Sequence, residues 1–546
     1  MTARRRAARA LTGGAIILLL AGCTVGPDYA PPAPPPAVER AERFTYAVDP
    51  TRFAHAAAPE ADWWRQLDDP LLDRLIAATL EANHDLRIAE ANLRAARALL
   101  GFERLRLLPT DSVDASVTRT RNSEAVLPPP PGPGAGPGNG GPGNGGPGNP
   151  PPGGGPDGDR TNTFYSAALD ARWQLDLFGG IRRAIQAQRA SVESQDAAYR
   201  ALAVTLSAEV ARTYAALRRD QLRRAIAARS VRNQEKTRDL VALLFDTGSA
   251  TDFDRARADA LLADTRAALP ALDADIARAI HRLGLLGGRA PDAFRAALEP
   301  PGALPTPPEP LAIAEPAALL RRRPDVEAAE RDLAAATARI GVATADLFPQ
   351  IGLVGRVGVL ALEADELGDD DSQTLSFGPF LRWSILDLAR VRRQIEAREA
   401  EADAALARFE QTVLATLEET ETALARYAYA RVREQHLESA ARASEHAVET
   451  ARLRYRHGVA SFLELLEAEQ TVFAAQDREA SAQADSVDAL IDIYQALAGA
   501  WQPADDAGAT GNGDDAKASK KTIDIEPAFA DESSTDDPPL PDVRSP

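Results

Sequence analysis

The residues with the most obvious capacity for chemistry are few and poorly placed for catalysis. Histidines stand at positions 55, 84, 281, 436, 446 and 457, with no pair three or four apart, and no cysteine follows Cys23. A zinc site needs several such ligands converging, so this set does not make one. No phosphate-binding loop, nucleophile elbow or dinucleotide fingerprint occurs. An enzyme is not expected. A lone methionine and unpaired histidines also speak against a dedicated copper or silver route. The chemistry that the sequence does support is at Cys23. The chain opens with Arg4, Arg5, Arg6 and Arg9, continues through an apolar run from Ala10 to Leu20, and reads Leu20-Ala21-Gly22 before the cysteine. This is a secretory signal with small residues at the cut. It predicts cleavage that leaves Cys23 as the mature N-terminus, carrying a covalent lipid. One cysteine also excludes an intramolecular disulfide.

The elements that would surround such an anchor are set by composition and period. The chain has 546 residues, is rich in Ala, Arg, Leu and Glu, and is only 5% aromatic, which favours long helices over a catalytic globule. A formal charge of -18 opposes nucleic acid as a partner, because phosphates need basic surface. The run from Ala10 to Leu20 is too short for a membrane-spanning helix, which takes about 20 apolar residues, and no other stretch serves. Any further membrane crossing must use strands.

Self-similarity organises the rest. Asp85–Pro109 matches Asp325–Pro349 at an offset of 240, and Arg172-Trp173 matches Arg382-Trp383 at an offset of 210, as do Ile185 and Ile395, and Gly248 and Gly458. The chain is a tandem duplication whose first copy holds 30 extra residues, located by the Gly/Pro-rich tract 127–158. That tract cannot bury enough apolar surface to order itself and reads as a flexible loop. Four segments put apolar residues on odd numbers and polar ones on even numbers. They are Val113 to Val117, Tyr165 to Leu177, Ile351 to Val359 and Leu375 to Ile385. Each copy therefore supplies one hairpin with an oily face. Pro379 lies inside the last segment, where a bulge is expected. Transmembrane barrels need about eight strands or more, and open edges are excluded from hydrocarbon, so several chains must pool their hairpins. Between the strands, 181–244 and 391–454 are unbroken helical patterns, the first roughly 95 Å long, each stopped by Gly248 or Gly458 and followed by a shorter returning helix.

Several motifs in fixed order carry a family resemblance. They are the Cys23-Thr24-Val25-Gly26-Pro27-Asp28-Tyr29 start, Asp62-Trp63-Trp64, Asp69-Pro70-Leu71, the run from Trp173 through Phe178 to Gly179-Gly180, and the stretch from Arg454 to Gln470. Over about residues 15 to 501 the chain resembles the outer-membrane factors of Gram-negative efflux systems. The resemblance implies a mixed α and β fold: a trimeric, twelve-stranded transmembrane barrel continuous with a long periplasmic helical barrel, each chain giving four strands. It implies a homotrimer that works with a periplasmic adaptor and an inner-membrane transporter, anchored in outer-membrane lipid. Thr24, rather than Asp, after the lipidated cysteine implies export to the outer membrane.

By the same resemblance the functional site is a gate at the periplasmic tip. Its carboxylates fall on Glu464 and Glu467, one helical turn apart, with Asp254 as the first-copy counterpart of Glu464. The aromatic gate residue falls on Tyr455, mirrored by Phe245. Trp173 and Trp383 are the membrane-interface aromatics. Some members carry aspartates at the two glutamate positions and Arg where this chain has Ala460, so closing salt links do not transfer directly; Arg454 and Arg456 stand nearby as substitutes. The alternative reading of each acid is a solvated helix face.

The expected organisation is a lipoprotein signal peptide at 1–22, a lipid-anchored extended segment at 23–61, and a first repeat at 62–300. A linker at 301–310, a second repeat at 311–501 and a disordered acidic tail at 503–546 complete it. The function expected is the outer-membrane duct of a tripartite pump, of the resistance-nodulation-division type, exporting small molecules. A type I protein-secretion duct and a structural coiled-coil lipoprotein or adaptor are the alternatives. The transported substrate is not written in this chain.

Overall fold

The computed structural model describes residues 24–33, 43–47, 49, 52–55, 62–121, 161–306, 308, 310–313 and 315–497. Cys23, the tract 127–158 and the tail 503–546 lie outside the described residues.

The chain order follows from local signals. A short strand, β1 (Phe53–His55), precedes a 3-10 turn at Trp63–Leu67. Asp69 then starts α1 (Pro70–Ala82): its carboxylate accepts the N–H groups of Leu71 and Leu72 at 3.0 and 3.2 Å, with proline at the first helical position. Asn83 ends α1 and caps α2 (His84–Leu105) in the same manner. Strands β2 (Thr110–Arg121) and β3 (Thr161–Leu175) follow, then α3 (Gly180–Asp246) and α4 (Asp252–Leu286). The second copy gives β4 (Leu311–Ile313), α5 (Pro324–Ala345), β5 (Gln350–Ala361), β6 (Gln373–Arg382), α6 (Leu388–Arg456) and α7 (Phe462–Ala496).

The two rods α3 and α6 hold 67 and 69 residues, about 100 Å each at the standard helical rise. Each stops at a glycine in the left-handed region, Gly248 at φ 72° and Gly458 at φ 70°. A side chain at either place would be strained, so glycine fixes the reversal. Along the rods, alanines such as Ala208, Ala211 and Ala215 on α3 and Ala482, Ala484 and Ala489 on α7 are buried, which lets neighbouring helices approach closely.

The main core sits part-way along the rods, where α1, the 3-10 turn, β1 and β4 pack on α3, α4, α6 and α7. Trp63 stacks on Tyr494 with ring centroids 4.8 Å apart, and Tyr214, Tyr427, Leu72 and Leu298 are fully buried around them. Each such side chain contributes roughly 1.5–3 kcal/mol by leaving water. The parallel pairing of β1 with β4 ties the segment before the first copy to the start of the second.

The larger sheet has the order β2-β3-β5-β6, antiparallel throughout, so each copy forms a hairpin and the hairpins meet at β3 and β5. Two details correct the sequence expectation. Strand β6 ends at Arg382, and Ile385 lies in a following 3-10 turn. No bulge occurs at Pro379: pairing runs from Gln350↔Arg382 through Leu353↔Pro379 to Val359↔Gln373 without an extra residue. The physical reason is that β6 is an edge strand, where alternate N–H groups point away from the partner and a proline leaves the ladder intact.

Candidate functional site

The far ends of the two rods come together at one small hydrophobic cluster. Val241 on α3, Ala258 on α4, and Phe462 and Leu466 on α7 are buried against one another, with Tyr455 packed on them. The Tyr455 and Phe462 rings lie 5.8 Å apart and tilted. Burial, and then the negative charge of Asp254, push the Tyr455 hydroxyl above its ordinary pKa, so it stays a neutral hydrogen-bonding phenol. Its first-copy mirror, Phe245, lies instead under the Arg255 guanidinium at 4.7 Å.

The acids expected at the gate occupy different situations. Asp254 sits in the first turn of α4, and two bonds from Thr251 hold its carboxyl below the usual carboxylate range. Glu464 takes the matching place on α7 beside Ser461. Glu467 is exposed one turn further along the same face. Among the described residues, neither Arg454 nor Arg456 forms an ion pair. A cation that pairs deeper in this end is Arg452, which donates to Glu469 at 3.0 Å, while the Thr237 hydroxyl donates to the same oxygen at 2.9 Å. Glu469 is only 3% exposed and links α3, α6 and α7. The expected site residues do not include it. The signal was present: Phe462, Leu465, Leu466 and Glu469 follow the spacing of one buried helix face.

The opposite end is organised by the period of two. Odd-numbered side chains form the oily face: Val113, Leu375 and Phe377 are 77%, 82% and 76% exposed. Even-numbered ones form a polar face with its own cross-strand links. Ser116 bonds Ser166 at 2.9 Å, Arg356 lies 3.9 Å from Asp170, and the Arg172 guanidinium lies over the Phe380 ring. Trp173 and Trp383 stand at matching strand ends and are part-exposed. Their indole N–H groups donate to the carbonyls of Leu107 and Leu347, at 2.9 and 3.1 Å, so each ring fastens a strand end to the close of the preceding helix.

At this same junction the start of the described chain is clasped. Arg183, buried at the head of α3, donates to Val25 O at 3.0 Å, Gly26 O at 3.1 Å and Asp28 Oδ1 at 2.8 Å. Gly26 has φ 84°, and a Cβ there would stand 2.5 Å from the Gly341 Cα. Only glycine allows that approach to α5. Tyr29 then donates to Glu330 on α5 and packs beside Ala190 and Ala335. Thr24 abuts Gly179 at the base of the sheet.

Comparison with known proteins agrees with these surfaces. The pattern described as outer membrane efflux protein matches residues 75–289 and 316–499, one stretch in each copy. The chain is 29% identical over 501 residues to the toluene efflux pump outer membrane protein TtgI of Pseudomonas putida, covering 89% of this chain and 97% of that protein. It is 30% identical over 477 residues to nodulation protein T of Rhizobium leguminosarum, covering 86% and 89%. Among solved structures, the outer-membrane channel OprN superposes with a TM-score of 0.78 at 37% identity, covering 88% of this chain and 100% of that one. The family pattern covers most of the chain in two stretches, and the chain belongs to the outer membrane efflux protein family.

Proposed function

We propose that this protein is the outer-membrane channel of a tripartite efflux pump, built as a homotrimer whose three sheets close one twelve-stranded barrel. The chain belongs to a family of outer-membrane efflux proteins, which supports reading it as a duct rather than an enzyme. The observation that carries the finer reading is the sheet itself. It has an oily face, a polar face and, among the described residues, two unpaired edges, and it runs into helices of 67 and 69 residues. Such a sheet cannot stand alone in hydrocarbon, because its edge N–H and C=O groups would go unsatisfied. Closing it with two further copies removes every edge and turns the polar face toward an aqueous lumen. The rods then continue the lumen into the periplasm, where an adaptor and an inner-membrane transporter of the resistance-nodulation-division type deliver small molecules. A lipid on Cys23 adds a second anchor at the rim.

In this reading Tyr455, Glu464, Glu467 and Asp254 form the periplasmic gate. Three copies of each carboxylate would face one narrow passage, where like charges hydrate the constriction and favour cations. The test is reconstitution of the full chain into planar bilayers alongside semi-native gels. A heat-modifiable oligomer with small, cation-selective conductance supports the channel. A monomer with no conductance supports a structural lipoprotein, and loss of a secreted protein, rather than drug sensitivity, in a deletion strain supports a type I secretion duct.

A further inference from the structure

The oily face of the sheet carries charge at one end. Along β2 the odd-numbered residues are Asp111, Val113, Ala115, Val117, Arg119 and Arg121. The acid stands at the end that meets the helices, and the two arginines stand at the end away from them. Pairing with β3 fixes their level: Val117 faces Tyr165, Arg119 faces Thr163 and Arg121 faces Thr161. Tyr165 and Trp173 lie eight residues apart on β3. On a strand tilted as in a barrel, that interval spans roughly 20 Å along the membrane normal, close to the height of an outward apolar band. Aromatic residues mark both edges of such a band, so Trp173 marks the edge nearer the helices and Tyr165 the far one. Arg119 and Arg121 lie one and two rows beyond Tyr165, in the layer of lipid headgroups.

We propose that Arg119 and Arg121 form a binding site for the phosphate groups of outer-leaflet lipid. The site rests on the membrane barrel proposed above and adds a ligand to its rim. Both side chains are exposed, and among the described residues neither forms an ion pair. The arginines of the polar face differ: Arg356 lies beside Asp170, and Arg172 lies over the Phe380 ring. Nor does the end of the hairpin require arginine, since the counterparts in the second copy, at the offset of 240, are Val359 and Ala361. Acids also stand at this end, in the turn between β5 and β6 that holds Asp365, Glu366, Asp370 and Asp371. Strand β3 separates that turn from β2, and none of its acids pairs with either arginine.

The chemistry of the pair suits this ligand. Residues two apart on one face are separated by about 7 Å, so both guanidiniums reach a single phosphorylated headgroup. Their aliphatic stems lie over the edge of the apolar band while the charged heads extend beyond it. A guanidinium offers phosphate two parallel N–H donors and gives up its own hydration readily.

The test is a lipid titration of the full-length protein in neutral detergent, read by native mass spectrometry. The probes are lipid A, a diphosphorylated glycolipid, and the same lipid after enzymatic dephosphorylation. The natural chain should prefer the phosphorylated form by roughly twentyfold, about fivefold for each arginine. Arg119→Gln with Arg121→Gln should bind both forms alike, and Arg119→Lys with Arg121→Lys should recover much of the preference. Arg382→Gln, on the polar face of the same sheet, should leave it unchanged. Equal binding of the two forms by the natural chain overturns the site without recourse to any variant. A preference that survives the double glutamine variant overturns its assignment to these arginines. Displacement of the lipid by an equal concentration of inorganic phosphate makes the ligand a soluble anion and overturns the lipid reading. Semi-native gels run alongside separate the two levels of argument. A heat-modifiable oligomer with no phosphate preference overturns the site alone, whereas a protein that stays monomeric and outside membranes overturns the barrel and the site together.

Discussion

Asp254 and Glu464 hold the same place in the two copies, the third residue of the helix that returns from the tip, and each meets the hydroxyl residue that caps that helix. Asp254 accepts the Thr251 N–H at 2.9 Å and its hydroxyl at 2.6 Å, while Thr251 Oγ1 accepts the Asp254 N–H at 3.2 Å. Ser461 Oγ accepts the Glu464 N–H at 3.2 Å and donates to Oε1 at 3.3 Å. Both acids hold the turn first, and only what remains of each carboxylate is free to face a passage. Glu467 has no such duty.

The cap at Thr251 gives the first prediction. Thr251→Ala should cost about 1 kcal/mol of local stability and speed tryptic cleavage near Arg255 and Arg257. The Asp254 carboxyl is held below its ordinary pKa, so its contribution is present above the unfolded value and is lost as pH falls through the depressed one. Trypsin near neutral pH should therefore distinguish the variant from wild type, and pepsin in strong acid should show a smaller difference, the part that remains being the Thr251 hydroxyl's own bond to the Asp254 N–H.

The second concerns charge at the proposed gate. Replacing Glu464 and Glu467 together with Gln removes two carboxylates per protomer from a passage where screening is weak. Bilayer reversal potentials under a potassium chloride gradient should move toward zero, and block by trivalent cations from the periplasmic side should weaken. An unchanged reversal potential would mark both as solvated helix-face residues.

The third separates the lipid from its clasp. Cys23→Ser should abolish palmitate labelling while the barrel still forms, because the strands anchor themselves. Arg183→Met should keep the label yet leave the carbonyls of Val25 and Gly26 and the Asp28 carboxylate without their donor. That loss is worth about 2 kcal/mol, and it should expose 24–33 to limited proteolysis. Labelling that persists without Cys23 would refute the anchor.

The fourth is a pH dependence inside the rods. Asp488 on α7 is pushed up to about 6, first by burial, with Asp492 adding to the rise and Arg219, Arg426 and Arg212 opposing it. Its Oδ1 atom has no hydrogen-bond partner. A raised folded-state pKa favours the protonated form, so this stabilisation is full below the unfolded value and is lost as pH rises through about 6. Asp488→Asn should melt several degrees higher than wild type at neutral pH and match it in mild acid, followed by circular dichroism. A gap that does not change with pH would refute this assignment.

Much of the architecture was legible because it rests on long periodic patterns. The odd-numbered apolar residues from Tyr165 to Leu175 could lie only on one face of a strand, and the rods ran on until Gly248 and Gly458 stopped them. What escaped was short or non-local. Strands β1 and β4 are three residues each, too brief to show alternation, and their pairing joins Phe53 to Leu311. Arg183 looks like one more surface cation until the backbone of Val25 and Gly26 is laid over it. The expected bulge at Pro379 failed because its cost depends on which neighbour the missing N–H would have faced, and strand order decides that.

The clasp at Arg183 also sets an order of events. Tyr29 and Glu330 are 301 positions apart, and Gly26 rests on Gly341, so the first described residues dock against some of the later ones. Loop-closure entropy makes so distant a contact late in folding. The segment made first must wait, unattached, until α5 of the second copy has been made and laid against α3. Docking of the N-terminus is thus a report of completion: a truncated or half-folded chain has no groove for it, and its leading end stays open to proteases.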